Sequence, residues 1–306
     1  MTWNSLQLPS EGSQQLYSDT TAPKTNAVEG IKWNVETLLL DPQLEAMSSQ
    51  SIEVEVFPGR GWLIKSIKIG WVEILYQDMF DETLLDTSKS VKGWIPYMFP
   101  NAGPLTNKEK EKSGINLPQH GIARVSPWTR NSKNKSPRTI QQDFVFTETP
   151  EYPYSWNIKN FISDEPNGVK IVHVIWNNWE TNMPIASWLH PYFRVPQGKK
   201  EEIIWNFPWG DKISKEVESW SNDGTVTFEN PHPGKPFSII IPGLGRLELT
   251  ASADYKKFWV WSLPGKDFVC IEPVMGDEWM IANNPVIIEP GKTNSSSLRI
   301  NLFQES

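Results

Sequence analysis

The amino-acid sequence predicts an all-β protein organised as one large antiparallel β-sandwich. The 306-residue chain contains 16 tryptophans, 25 prolines and 19 glycines, a composition typical of many short strands joined by turns. After residue 50, runs with a period of two are separated repeatedly by Gly, Pro and Asn. The sequence has no long amphipathic helical pattern, internal repeat or later break in composition, which favours a single domain.

Residues 1–50 are predicted to be an irregular lead-in to that domain. They are polar and rich in Ser, Thr and Gln, and only Trp33–Leu40 has the character of an ordered segment. We therefore place the β-sandwich domain at residues 51–306. Its first strands are predicted where apolar residues recur across glycine-marked breaks, at Ile52–Phe57, Trp62–Ile69 and Trp71–Leu75.

A loop-rich section with six prolines is predicted from Gly93 to Thr149. Its two basic tracts, Lys108–Lys112 and Arg130–Arg138, are interpreted as solvated loops rather than anion sites. Further strands are then predicted between turn residues, at Val169–Trp176, Ile185–Phe193, Glu201–Trp205, Thr225–Phe228, Phe237–Ile241, Arg246–Ala251, Phe258–Trp261, Phe268–Glu272 and Ser297–Leu302.

The charge and the cysteine content exclude several classes of protein. A net charge of −7 argues against a protein that coats nucleic acid or an anionic membrane. The single cysteine, Cys270, cannot form an intramolecular disulfide, and the four histidines lack zinc-like spacing, so we expect no structural metal. Because no signal sequence or membrane-spanning apolar run is present, we expect a cytoplasmic protein.

The segment Ala186–Arg194 places a titratable histidine among aromatic residues. Side chains alternate along a strand, so Trp188, His190 and Tyr192 share one face. A histidine between two large rings is a candidate for proton transfer. The alternative is a structural histidine whose hydrogen bonds are satisfied within the fold.

A second candidate is the glutamate that ends an apolar strand. Phe268, Cys270 and Glu272 share one strand face, and Val269 and Ile271 share the other. Partial burial would raise the pKa of Glu272 and make it a better proton acceptor near neutral pH, whereas an exposed strand-end glutamate would have no such role. We expect Cys270 to be a small buried hydrophobe, because no histidine adjoins it in the sequence.

A third candidate is the segment Gln119–Arg124, which Trp128 follows at short range. Gly121, directly after His120, would let the backbone approach a ligand closely. The guanidinium of Arg124 offers a fork of donors to hydroxyl groups or to an anion.

Four segments, in this order, resemble signatures of the aldose 1-epimerase (galactose mutarotase-like) superfamily, with the hexose-6-phosphate mutarotases as the most similar branch. They are Asn101–Pro104, Gln119–Arg124 with Trp128, His190–Phe193 and Val269–Pro273. The resemblance covers roughly Ile52 to Leu302. It implies a galactose mutarotase-like β-sandwich with a sugar cleft on one sheet, and a sugar or sugar phosphate as ligand rather than nucleic acid or membrane.

The resemblance also implies roles for these residues. Glu272 would take the proton from the C1 hydroxyl of the sugar, and His190 would protonate the ring oxygen. His120 and Arg124 would hold hydroxyl groups. The ring would open, rotate about the C1–C2 bond and close on the other face, without a metal, cofactor or covalent intermediate.

Aromatic rings such as Trp128 or Trp188 could lie against the apolar face of the pyranose.

The family's usual site aspartate, however, has no clear counterpart in this sequence. Glu229 and Asn230 occupy the corresponding region, and Asp211 is another nearby carboxylate, so the sequence leaves the choice open.

Phosphate recognition also departs from the pattern, since Lys92 stands where the phosphate-using branch supplies arginine. Other candidate cations are Arg124, Arg60 and the Lys108–Lys112 tract, so we expect only a modest preference for a sugar phosphate.

Two alternatives to an isomerase are a non-catalytic carbohydrate-binding or regulatory protein on the same fold, and a glycoside hydrolase, which would require a pair of carboxylates.

Overall fold

The structure, a computed structural model, describes residues 36–39, 52–77, 86–130, 139–208, 210–217, 224–275, 281–282 and 284–304. All of these residues lie in the compact unit Lys32–Ser306. They form two α-helices, α1 (Asn107–Ser113) and α2 (Gly210–Val217), and strands with the following bounds: β1 (Glu36–Leu39), β2 (Ile52–Phe57), β3 (Leu63–Ile69), β4 (Val72–Glu73), β5 (Tyr97–Met98), β6 (Thr129–Arg130), β7 (Thr139–Phe146), β8 (Trp156–Glu165), β9 (Gly168–Asn177), β10 (Met183–Ile185), β11 (Trp188–Leu189), β12 (Tyr192–Arg194), β13 (Ile204–Asn206), β14 (Gly224–Glu229), β15 (Phe237–Ile241), β16 (Gly245–Ala251), β17 (Lys257–Ser262), β18 (Phe268–Val274), β19 (Val286–Ile288) and β20 (Thr293–Phe303).

Two large sheets dominate the described part of the chain. The eight-stranded sheet has the order β13-β15-β16-β20-β9-β8-β7-β6, and the six-stranded sheet has the order β14-β17-β18-β11-β5, with β12 also paired to β18. Smaller sheets are formed by β1-β2-β3-β4 and by β10-β19. Because these strands pair antiparallel, the predicted all-β antiparallel class is confirmed.

The main core lies between the two large sheets. Alternate residues of each strand enter it, as period-two side-chain directions require. The six-stranded sheet contributes Phe258, Val260, Val269 and Ile271, and the eight-stranded sheet contributes residues such as Ile158, Ile171 and Leu298. The other face of the six-stranded sheet is therefore turned away from the core.

A row of polar side chains crosses the core face of the eight-stranded sheet. His173 pairs in register with Asn160 on one side and with Ser296 on the other, and all three are buried. The imidazole Nδ1 lies 2.6 Å from the Asn160 Oδ1, and the ring stacks on Tyr97 at a centroid distance of 4.1 Å. Burial lowers the pKa of His173 to about 3, so this histidine is neutral near pH 7.

Parts of the predicted loop-rich section are regular structure. The lysine tract forms α1, because Thr106 and Glu109 make a capping box in which the Glu109 carboxylate accepts the Thr106 N–H at 2.8 Å. The long strands β7 and β8 are absent from the sequence prediction. In β8 the buried Asn160 interrupts the apolar alternation that would mark the strand. Residues 131–138 of the second basic tract lie outside the described residues.

Two further outcomes concern the predicted domain boundary and one predicted strand. The proposed boundary at residue 50 stays a prediction, and β1, which precedes it, pairs with β2. The predicted strand Glu201–Trp205 is instead a 3₁₀ turn, Gln197–Glu202, followed by β13. Within the described ranges, no helix is long and apolar enough to cross a bilayer.

Candidate active site

The outer face of the six-stranded sheet brings together residues that are far apart in the sequence. Tyr192 on β12 pairs with Cys270 on β18, and this register places His190 opposite Glu272. On the other side of β18, Trp259 of β17 pairs directly with Glu272. Glu272 therefore lies between Trp259 on β17 and His190, which stands in the short break between β11 and β12.

His190 and Glu272 contact each other in a buried setting. The His190 Nδ1 lies 3.3 Å from the Glu272 Oε1, and the two residues are 7% and 2% exposed. The second carboxyl oxygen, Oε2, is buried and has no hydrogen-bond partner among the residues that the structure describes. A buried carboxyl oxygen without a partner is costly, so this atom is suited to accept a hydrogen bond from a ligand.

The orientation of the His190 ring is fixed from several sides. Its backbone N–H donates to the Pro96 carbonyl at 3.1 Å. The ring stacks on Tyr192 at 4.5 Å with an interplanar angle of 6°, and Trp261 meets it edge-on at 5.8 Å. The Tyr192 hydroxyl lies 3.5 Å from Nε2, so Nδ1 is the ring nitrogen that faces Glu272.

Burial shifts the pKa values of this pair in opposite directions. It raises the pKa of Glu272 well above its usual range, because the charged carboxylate is poorly solvated. Burial, followed by the nearby His120 and Arg124, lowers the pKa of His190 well below its usual range. Near neutral pH the pair therefore carries no net charge, with one acidic proton available to move between carboxyl and imidazole.

Cys270 is fully buried on the same strand face, where it packs against Tyr192 and Phe268. Burial raises the pKa of its thiol well above the usual range, and the nearby Glu272 adds to this effect. The residue is a small buried group that is protonated near neutral pH, as the sequence predicts.

His120 lies near this face, on the loop after α1. It and the following Gly121 have left-handed backbone φ angles of 65° and 70°. A Cβ added at Gly121 would sit 2.1 Å from the Phe99 carbonyl oxygen, so the tight approach of the two backbones requires glycine. The His120 Nδ1 hydrogen-bonds to the Ala102 carbonyl, and its ring centroid is 6.5 Å from that of Trp188. Burial lowers its pKa to about 3, so His120 is neutral near pH 7.

Arg124 supplies positive charge beside these histidines, and Arg60 lies next to Arg124 with its Nη2 donating to the Lys89 carbonyl. The Gly61 turn packs against the backbone of Arg124, and the two guanidinium groups influence each other: burial and then Arg124 lower the pKa of Arg60 to about 10. Arg124 also contributes to the lowered pKa of both His120 and His190. Its Nη2 donates to the Gln119 carbonyl at 3.3 Å. The sequence segments that contain these arginines and histidines are therefore close in space.

The predicted aromatic residues separate into two environments. Trp188 belongs to the outer face, where its ring lies 5.5 Å from Trp259. Trp128 instead packs in the main core against Phe144, with its indole N–H donating to the Ala123 carbonyl at 3.1 Å. Sequence reasoning singled out neither Trp259 nor Trp261. Their alternation along one predicted strand put them on a shared face, but only the pairing of β17 with β18 places that face beside Glu272.

The remaining predicted site residues lie farther out on the fold. Glu229 ends β14 on the same sheet, and its Oε1 is 3.5 Å from the ammonium of Lys257. Asp211 is exposed in the first turn of α2, and Lys92 is exposed in the segment before β5. The buried Asn230 amide donates to the Tyr255 carbonyl at 3.0 Å, an interaction that serves the fold.

Comparison with known proteins identifies the fold. No protein-family profile matches the chain. The Slr1438 protein from Synechocystis sp. PCC 6803 is similar in structure, with a TM-score of 0.75 and 23% identity over 89% of this chain and 96% of that one. A galactose mutarotase related enzyme from Lactobacillus acidophilus has a TM-score of 0.63 and 16% identity over 83% and 95% of the two chains. A galactose mutarotase-like protein from Clostridium acetobutylicum has a TM-score of 0.64 and 17% identity over 83% and 93%.

The architecture and these similarities define the class of protein: a large antiparallel β-sandwich of the galactose mutarotase-like fold, as the sequence predicts. At these levels of identity the similarity defines the fold alone. The activity has to be argued from the site.

Proposed function

We propose that this protein is a mutarotase that interconverts the α and β anomers of a hexose, with Glu272 as the base and His190 as the acid in ring opening. The observation that carries the proposal is the 3.3 Å contact between the Glu272 Oε1 and the His190 Nδ1 on a buried, aromatic-lined sheet face. Mutarotation requires one group that accepts a proton and one that donates a proton, both beside the same anomeric carbon.

In the proposed ring opening, the ionised Glu272 removes the proton of the C1 hydroxyl while protonated His190 donates to the ring oxygen. The bond between C1 and the ring oxygen breaks, and an aldehyde forms at C1. After rotation about C1–C2, the hydroxyl that came from the ring oxygen attacks the other face of the aldehyde. His190 now takes a proton and Glu272 returns one, so the pair ends with its original proton content.

The electrostatic environment supports this exchange of roles. Burial raises the pKa of Glu272 and lowers that of His190, so the acidic proton rests on Glu272 in the free protein, and its transfer to His190 gives the ionised pair that the reaction uses. A carboxylate that forms in such a site is more basic than a solvated one, which favours proton removal from a hydroxyl. Trp188 and Trp259 offer apolar rings on which a pyranose face can lie.

We further propose that the substrate includes hexose 6-phosphates, with Arg60 and Arg124 as the groups that contact the phosphate. Two neighbouring guanidinium groups offset the cost of removing a doubly charged phosphate from water. We expect a modest preference for glucose 6-phosphate over glucose that is largely lost in Arg124→Ala. Arg246→Ala, on the eight-stranded sheet, is the matched control and should keep the preference. Equal rates on both sugars in the native protein would contradict the phosphate assignment.

Polarimetry of freshly dissolved α-glucose, with sugar binding followed by tryptophan fluorescence, tests the activity. We expect the native protein to shorten the approach to anomeric equilibrium in proportion to its concentration. Binding without acceleration would support the alternative, a non-catalytic carbohydrate-binding protein on the same fold.

A further inference from the structure

We propose that His190, Cys270 and Glu272 together form a binding site for a thiophilic divalent cation such as Zn²⁺, and that occupation of this site inhibits the protein. One ligand atom from each of these residues lies within 4.8 Å of the others. The site combines one nitrogen, one sulfur and one oxygen ligand, a donor set that suits zinc. Cation binding stands on the geometry alone, and inhibition rests in addition on the proposed mutarotase function.

The observed separations are near those that a tetrahedral zinc ion requires. Zinc bonds of about 2.0 Å to nitrogen and oxygen and about 2.3 Å to sulfur place neighbouring ligand atoms roughly 3.3 to 3.5 Å apart. The His190 Nδ1 and the Glu272 Oε1 already lie 3.3 Å apart. The thiol of Cys270 lies within 4.8 Å of the other two ligand atoms, so an inward movement of up to about 1.3 Å completes a set of three protein ligands and one open position.

The fold presents these three side chains on one face of the six-stranded sheet, two from β18 and one from the short break between β11 and β12. Cys270 and Glu272 are two residues apart on β18 and share its outer face, while His190 lies across from Glu272. The Tyr192 hydroxyl, 3.5 Å from the His190 Nε2, is placed to orient the ring while Nδ1 binds the cation. Histidine spacing in the sequence could not indicate this site, because its ligands come from two separate segments of the chain and include one histidine.

An independent observation points to a positively charged ligand at this position. The buried Oε2 of Glu272 has no hydrogen-bond partner in the described part of the chain. A cation bound by both carboxyl oxygens of Glu272 would satisfy Oε2 and would at the same time occupy the ring nitrogen of His190. Both groups proposed for proton transfer would then be held by the metal, whereas Cys270 has no part in the proposed reaction.

Cobalt(II) provides a direct probe, because a thiolate bound to Co²⁺ gives a charge-transfer band in the near ultraviolet. Cys270 is the only cysteine in the chain, so such a band reports this site without ambiguity. We expect the band to saturate at one Co²⁺ per native protein and to be absent in Cys270→Ser and Cys270→Ala. If the serine variant unfolds, Cys270→Ala, which leaves an apolar group among apolar neighbours, carries the comparison. Absence of the band in the native protein would overturn the proposal.

Inhibition is measured separately, with Zn²⁺ added to the anomerisation assay. We expect at least a tenfold higher half-inhibitory concentration of Zn²⁺ in Cys270→Ala than in the native protein, with similar activity before the metal is added. Equal inhibition of both proteins would show that Zn²⁺ acts elsewhere and would overturn the inhibitory role. A native protein that binds Co²⁺ but does not accelerate anomer exchange would retain the metal site and reject the proposed function instead.

Discussion

Replacement of Glu272 by glutamine removes the proposed base while it preserves the size and shape of the side chain. A positioned general base contributes roughly 10² to 10⁴ in rate, which corresponds to about 3 to 5 kcal/mol of transition-state stabilisation. We expect Glu272→Gln to lose anomerase activity by this amount. Sugar affinity should change little, because the amide can still hydrogen-bond to the anomeric hydroxyl.

The structure also predicts how this variant affects stability. Because burial raises the pKa of Glu272, its side chain is neutral near pH 7, and exchange for a neutral amide leaves no unpaired charge in the interior. We expect a change in the free energy of unfolding within about 1 kcal/mol at pH 7. A raised folded-state pKa contributes stability that is lost as pH rises through that pKa. The native protein should therefore lose stability relative to Glu272→Gln as the pH rises from about 4.5, the usual pKa of glutamate, through the raised folded-state pKa.

The assay pairs polarimetry of α-glucose with urea denaturation of the same samples. Glu248→Gln is the matched control, because Glu248 is a partly exposed carboxylate on the eight-stranded sheet. The control should retain native activity. Native activity in a folded Glu272→Gln protein would refute the assignment of the base, and a loss of activity that tracks a loss of folded protein would refute the reasoning about its neutral state.

Three further predictions follow from the site and the core. His190→Asn should lower anomerase activity by roughly 10² to 10⁴ while the protein stays folded, and full activity measured by polarimetry would assign the acid elsewhere. Gly121→Ala should lower the free energy of unfolding by about 1 to 3 kcal/mol or raise the KM, because the backbone there is left-handed and a Cβ would lie 2.1 Å from the Phe99 carbonyl oxygen. A variant whose urea denaturation and kinetics both match those of the native protein would contradict this. The depressed pKa of His173 contributes stability that is present above pH 6.5 and lost towards pH 3. As the pH falls from 7.5 to 5, protonation of His173 in the unfolded state should lower the free energy of unfolding of the native protein by about 2 kcal/mol, and His173→Gln should not show this loss. If the free energy of unfolding of the two proteins changes in parallel with pH, this role of His173 is wrong.

Much of the candidate site could be predicted because strand periodicity fixes which side chains share a face. That rule alone places Cys270 with Glu272 and separates both from Val269 and Ile271, and the structure has the same division. Strand pairing is a long-range property that alternation does not encode. The contact of Glu272 with His190 was therefore an expectation from the resemblance, and the neighbouring Trp259 was missed.

The parts that sequence reasoning did not predict share a physical cause. β8 buries Asn160 because His173 on the neighbouring strand hydrogen-bonds to it, so a polar residue occupies a core position and hides the pattern. Trp128 was expected to lie against the sugar because it is aromatic and belongs to a segment that resembles a family signature. It enters the core instead, because its indole N–H finds a partner in the Ala123 carbonyl. In both cases a hydrogen bond satisfies the polar group that enters the core, and the apolar pattern of the sequence does not show it.

The central claim, that the paired Glu272 and His190 catalyse anomer exchange, is tested most directly at chemical equilibrium. Magnetisation exchange between the anomeric protons of α- and β-glucose 6-phosphate, and of the two glucose anomers, reports the interconversion without any coupled reaction. We predict exchange that grows in proportion to the concentration of native protein and is lost in both Glu272→Gln and His190→Asn. Exchange in the presence of native protein that equals the buffer rate for both sugars would contradict the claim.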